Sequence, residues 1–235
     1  MTKNTNIDQS SFQADRKTKD NSKEYKPENR SSLSVYKPEG AYGLIKKHPK
    51  PNAILINDAT LWTCGPKGTL AEWDILFVDG KIEQVAPDIT VPQGSAVVIE
   101  GAGKHITPGL IDCHSHSAAS SINEGTQYIT SEVRMRDVID PNDINIYRQL
   151  GGGLTTANVL HGSANPIGGQ NVVIKLRWGS NANELIFKNA PEGIKFALGE
   201  NVKQANWSGT NRYPQTRMGV EQVIRDAFRA ALDYK

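Results

Sequence analysis

The sequence predicts an α/β protein in which a small β-sandwich precedes a run of parallel β–α units, and three observations predict it. Short strands joined by tight turns fill residues 53–100. Apolar, β-branched stretches from Ile106 onward alternate with helix-like segments, the pattern of buried parallel strands. The last of these segments, Thr216–Tyr234, places Met218, Val223, Ile224, Ala227, Phe228, Ala231 and Leu232 at helical spacing.

The elements follow in order. Residues 1–50 are rich in Lys, Asn, Ser, Asp and Glu and are interrupted by Pro27, Pro38 and Pro49. Such a stretch buries too little apolar surface to offset its ordering entropy, so a flexible tail or linker is expected, with Val35–Ile45 docking through its aromatics as an alternative. Ala53–Ile56 and Ala59–Cys64 read as one strand with a break, Gly65–Gly68 as a turn, and Asp74–Val78 as a second strand. Asp79-Gly80 is a strong hairpin signal, with Lys81–Val85 as the return strand and Ala96–Glu100 as a further strand. Beyond Ile106, a helix is expected over Asp140–Leu150, with Pro141 in its first turn. Strands are expected at Leu154–Leu160, Val172–Leu176 and Ile194–Leu198. The expected organisation is a tail over 1–50, the N-terminal part of the sandwich over 51–105, and the β–α units over 106–235.

Composition narrows the partners. The 235 residues are 37% hydrophobic, enough for a core, and the formal charge of +2 gives no electrostatic reason to expect nucleic acid or an anionic membrane. No apolar run approaches the roughly 18–20 residues that span a bilayer, and the N-terminal stretch has no signal-like apolar segment, so a cytoplasmic protein is expected. Cys64 and Cys113 form no disulfide framework and no zinc-finger spacing. Cys113 is expected to pack beneath the site.

The chemistry concentrates at Ile111-Asp112-Cys113-His114-Ser115-His116. Residues two apart on a strand share a face, so His114 and His116 project together from a strand end. Two neutral imidazoles suit a borderline divalent ion, Zn²⁺ first, with Mn²⁺ or Fe²⁺ as alternatives. A His-x-His pair alone is equally consistent with polar loop residues. Glu200, ending the strand Ile194–Leu198, is a candidate third metal ligand or a helix cap. Lys195 lies at the far end of that strand and is expected to be badly placed for a ligand role. His161 ends the strand Leu154–Leu160 and is a candidate substrate contact. Gly168-Gly169-Gln170 lacks a phosphate-loop fingerprint, so Gln170 is read as part of a substrate-lining loop. Trp178 and Trp207 are expected to be packing or loop aromatics.

Thr107-Pro108-Gly109-Leu110-Ile111-Asp112-Cys113-His114-Ser115-His116 resembles the Pro-Gly-Leu/Phe-Ile-Asp-x-His-x-His signature of the amidohydrolase superfamily, and Asp79-Gly80-Lys81-Ile82 resembles the hairpin of the sandwich that precedes it there. Gly151–Thr156, Pro166–Gln170 and Phe196–Asn201 resemble the imidazolonepropionase-like branch. The resemblance implies a (β/α)8 TIM-like barrel, with His114 and His116 at its C-terminal mouth where such barrels hold their active sites. It also implies a divalent metal and hydrolysis of a carbon–nitrogen bond in a small amide, cyclic amide or imidazolone-like substrate by metal-activated water. In such enzymes some members take an early glutamate as a ligand and others a carbamylated lysine. Two later histidines complete the metal set, and a late aspartate moves the proton.

Those later residues have no counterpart here. Residues 106–235 are about half of the ~250 that a closed barrel takes, so the barrel is expected to be incomplete, the chain part of a longer protein, and the catalytic aspartate beyond residue 235. Two other function classes compete: a non-catalytic scaffold of the same fold, and a binding module made by the sandwich and tail. Retention of His114 and His116 speaks against the scaffold, and the absence of an aromatic platform or charge stripe against the module. A homo-oligomer is compatible with the sequence.

Overall fold

The computed structural model describes residues 51–203 and 211–235, so the expected tail and Trp207 lie outside the described residues. All described residues belong to one compact unit, Tyr36–Lys235.

β1 (Ala53–Trp62) pairs antiparallel with β2 (Thr69–Val78), which turns through Asp79-Gly80 into β3 (Lys81–Ala86). β4 (Val97–Glu100) and β5 (His105–Ile106) add to β1 in parallel. The result is one five-stranded sheet over the residues expected to form the N-terminal part of a sandwich. The break expected in β1 is a bulge between Ile56 and Ala59, within which Asp58 takes a φ of 57°. Its backbone N–H donates to Asp74 Oδ1 at 2.8 Å, and Ile89 N–H donates to Asp74 Oδ2 at 2.9 Å. The Asp74 carboxylate is buried, and these two donors are what make its burial tolerable. Ala59, Leu61 and Ile75 form the core of this sheet, flanked by Leu70, Trp73, Phe77 and Ile106.

The second part begins at β6 (Leu110–Ser115), which pairs in parallel with β7 (Leu154–Val159). Gly109 makes that pairing feasible. A Cβ there would lie 2.1 Å from Thr155 Oγ1, so only a residue without one lets the two strands approach. Between the strands, α1 (Ile144–Gly151) starts later than the sequence suggests, because Asp143 is its N-cap. Asp143 Oδ1 accepts from Asn145 N–H and Oδ2 accepts from Ala118 N–H, tying the helix start to the segment after His116.

The later strands depart from a purely parallel pattern. β8 (Ile167–Gln170) pairs antiparallel with β10 (Ile194–Phe196), and β9 (Val172–Lys175) pairs antiparallel with β7. Gly168-Gly169-Gln170, expected as a loop, is therefore strand. A short α2 (Ala182–Leu185) with an Asn181/Glu184 capping box precedes β10. α3 (Arg217–Tyr234) buries Val220 and Val223, Val220 joining Ala197 and Val202 in a small cluster. The main core joins Met135, Ile146, Val159, Ile174 and Leu185. β6 is an edge strand of its three-stranded sheet, leaving Leu110 60% and Ile111 72% exposed. Cys113 is exposed for the same reason and does not pack beneath the site as expected. Among the described residues no helix is long and apolar enough to cross a membrane.

Candidate metal centre

β6 ends at Ser115, so His114 is carried on the strand and His116 stands one residue past it. The two rings meet edge to face with centroids 5.2 Å apart. The parallel pairing with β7 continues beyond the strand, Leu160 N–H donating to Ser115 O at 3.0 Å. His116 Nδ1 lies 3.0 Å from Leu160 O, and only a ring with hydrogen on Nδ1 satisfies that carbonyl. The His116 Nε2 lone pair is thereby left for another partner, the arrangement by which a backbone carbonyl orients a metal-binding imidazole.

Lys195 supplies the feature that strand counting missed. Its side chain is buried, and its Nζ lies 3.1 Å from His114 Nε2. The expectation that Lys195 sits too far along β10 is corrected: β10 is only three residues long and pairs with β8, which brings its middle residue to the histidine pair. Among the described residues no carboxylate pairs with the amine. Burial lowers the Lys195 pKa below the ordinary lysine value. Desolvation, then Lys195, then His116 lower the His114 pKa, against an opposing pull from Asp112. Every dominant effect favours the neutral imidazole that metal ligation requires.

Glu200 does not join this group. Its exposed carboxylate is held by Lys203 and by Arg217, the latter at 3.1 Å, and these contacts lower its pKa, the Lys203 hydrogen bond first. Among the described residues no three His, Cys, Asp or Glu side chains converge as a metal cluster. The donor set is therefore two imidazoles and a lysine amine. As an amine it completes no ligand set of the type expected; as a carbamate, whose oxygens are carboxylate-like, it would.

His161 is buried, with both nitrogens committed. Nδ1 donates to Gly162 O at 2.9 Å, and Nε2 accepts from Glu124 N–H at 2.8 Å. Burial lowers its pKa, Gly162 and Glu124 pull it back, and Lys195 and His116 push it down. Gly168 is what admits this ring, since a Cβ there would lie 2.6 Å from His161 Nδ1. Gln170 Nε2 donates to Ser131 O at 3.0 Å. Both residues therefore hold the backbone of the long segment between β6 and α1.

Two residues that sequence reasoning did not single out do the same. Asn165, fully buried, directs Nδ2 at Glu124 O, Gln127 O and Thr130 Oγ1, at 3.0, 3.1 and 2.7 Å. The Arg212 guanidinium donates to the carbonyls of Gly125, Gln127 and Ala164. His161, Asn165 and Arg212 thus fix the backbone over 124–130. Asn-Pro at 165–166 was the signal for Asn165, as a turn; nothing local in sequence marked Arg212.

No family model matches the chain. It is 33% identical to amidohydrolase tasK of Hapsidospora irregularis, the match covering 75% of this chain and 21% of that protein. It is 40% identical to an imidazolonepropionase of Idiomarina loihiensis over 31% of this chain and 18% of the relative. Among solved structures, an amidohydrolase from Thermotoga maritima MSB8 superposes with a TM-score of 0.68 at 36% identity, over 77% of this chain and 48% of that one. The chain spans less than half the length of each of these proteins. Sequence and structural likeness agree: the chain belongs to the amidohydrolase superfamily, in its imidazolonepropionase-like branch.

Proposed function

We propose that this chain contributes the first part of a metal-dependent hydrolase that cleaves a carbon–nitrogen bond in a small amide, cyclic amide or imidazolone-like substrate. In this reading residues 51–105 are part of a β-sandwich and residues 106–235 open a (β/α)8 barrel completed by polypeptide beyond residue 235. The observation that carries the reading is the meeting of His114, His116 and the buried Lys195 amine, with the His116 Nε2 lone pair set free by the Leu160 carbonyl.

His114 and His116 would hold a divalent ion, Zn²⁺ by preference, and Lys195 would complete the set after its neutral amine adds CO₂, forming an N–C bond and releasing one proton. When bound, the ion would supply Lewis acidity and lower the pKa of water from about 15.7 toward about 7. The chain's own residues do the positioning. Leu160 O orients His116, the burial of Lys195 keeps its amine reactive, and His161 anchors the segment at Glu124 through a backbone hydrogen bond. Glu200, Gln170 and His161 act through the protein in this reading rather than on the substrate. The aspartate that accepts the proton of the attacking water is proposed to lie beyond residue 235.

The test is hydrolysis of N-acyl amino acids, dipeptides and cyclic amides by the complete gene product, assayed with Zn²⁺ and with Mn²⁺. Turnover that a chelator removes, that the metal restores and that His114→Asn abolishes is the expected result. No turnover of any of these substrates with either metal would overturn the reading.

A further inference from the structure

An open cleft of about 1130 Å³, somewhat above the ~300–1,000 Å³ of ordinary small-ligand pockets, lies among the described residues. None of His114, His116 and Lys195 lines it. Ile194, in its wall, and Lys195, whose amine meets His114, are consecutive on β10, so their side chains leave the strand on opposite sides. The wall divides into two chemistries. Val172, Ile186, Phe187 and Ile194 contribute apolar groups to the lining, and Arg134, Arg136 and Lys188 contribute cations. Arg134 is neutralised by Asp137, its Nε 2.9 Å from Oδ2. Arg136 and Lys188 make no ion pair or hydrogen bond within the described residues, and Glu192 is the single carboxylate in the wall.

Two uncommitted cations beside an apolar wall select a ligand with an anionic head and a hydrocarbon body. Arg136 and Lys188 are solvated, so neither would hold an inorganic anion strongly alone; the apolar wall adds the driving force that a free phosphate cannot use. We propose that this cavity is a binding site for a small organic carboxylate with a branched or aromatic body. Its carboxylate is received by Arg136 and Lys188, and its hydrocarbon lies against Val172, Ile186, Phe187 and Ile194. The site is independent of the proposed metal, because its residues are not those of the histidine pair.

Ligand-observed saturation-transfer NMR on the intact protein tests this with 4-methylpentanoate and its neutral counterpart 4-methylpentan-1-ol. The expected result is a saturable signal from the carboxylate's methyl groups, at least tenfold weaker affinity for the alcohol, and weakening with added salt. The variant Arg136→Gln/Lys188→Gln changes two exposed side chains; it should keep the parent's thermal transition and lose affinity at least tenfold. The variant His116→Asn and chelator-treated protein should bind as the parent does, which separates this proposal from the metal reading. No saturable signal, equal affinity for the alcohol, or undiminished binding by the double variant would overturn the site. Loss of binding in His116→Asn would place the carboxylate on the histidine pair and overturn it equally.

Discussion

Asn165→Ala removes the clamp that holds the 124–130 segment, and its cost can be worked from the geometry. The Asn165 amide has two N–H groups for three acceptors, so two hydrogen bonds, shared among Glu124 O, Gln127 O and Thr130 Oγ1, are lost. A buried polar group stripped of its partner costs about 1–3 kcal/mol. Against this, the variant removes Asn165 Oδ1, which is buried without a partner, and so relieves one penalty of similar kind. The balance of two bonds lost, one orphan relieved and a small cavity left comes to roughly 2–4 kcal/mol of destabilisation. Urea unfolding should show a lower midpoint with an unchanged slope. Hydrogen exchange should report faster opening at the amides of 124–133, by more than tenfold, since about 1.4 kcal/mol is tenfold in an equilibrium constant. An unchanged midpoint together with unchanged protection at Glu124 and Thr130 would refute the view that Asn165 holds this segment.

Other perturbations have equally definite outcomes. Gly109→Ala places a Cβ 2.1 Å from Thr155 Oγ1 and should destabilise the protein by about 3 kcal/mol or more, read as a lowered thermal midpoint, while the double variant with Thr155→Ala recovers part of the loss. His161 has a folded pKa below its ordinary value of 6.5, so its contribution to stability is present above that pH and is lost as pH falls through the folded value. Unfolding midpoints measured from pH 7.5 down to 5 should therefore decline, and His161→Gln should flatten the decline. Lys195→Met keeps the stem of the side chain and removes the amine beside His114; the fold should survive, while metal affinity and turnover of the complete gene product fall at least a hundredfold.

The legible part of this protein was local. The Asp79-Gly80 hairpin, the extent of α3 and the projection of His114 and His116 together follow from turn chemistry, helical period and strand alternation, all short-range rules. What was missed depends on distant partners. Along a strand running from Ile194 to Leu198, Lys195 would stand at the end away from the site. That strand ends at Phe196 and pairs with Ile167–Gln170, a stretch whose paired glycines carry no strand propensity. Glycine there serves ring packing against His161, a reason visible only once the ring is in place. Glu200 stands near a strand end, but basic side chains three residues later and on α3 take its carboxylate. Arg212 binds carbonyls 48 to 87 residues away, and no periodicity records that.

The central claim is that His114, His116 and Lys195 together hold a divalent ion. Equilibrium dialysis against Zn²⁺, followed by metal analysis of the complete gene product, tests it most directly when the parent is compared with His116→Asn and Lys195→Met. The account predicts that the parent retains stoichiometric metal and that each variant loses it while staying folded. A parent that retains no metal, or variants that retain as much as the parent, would contradict it.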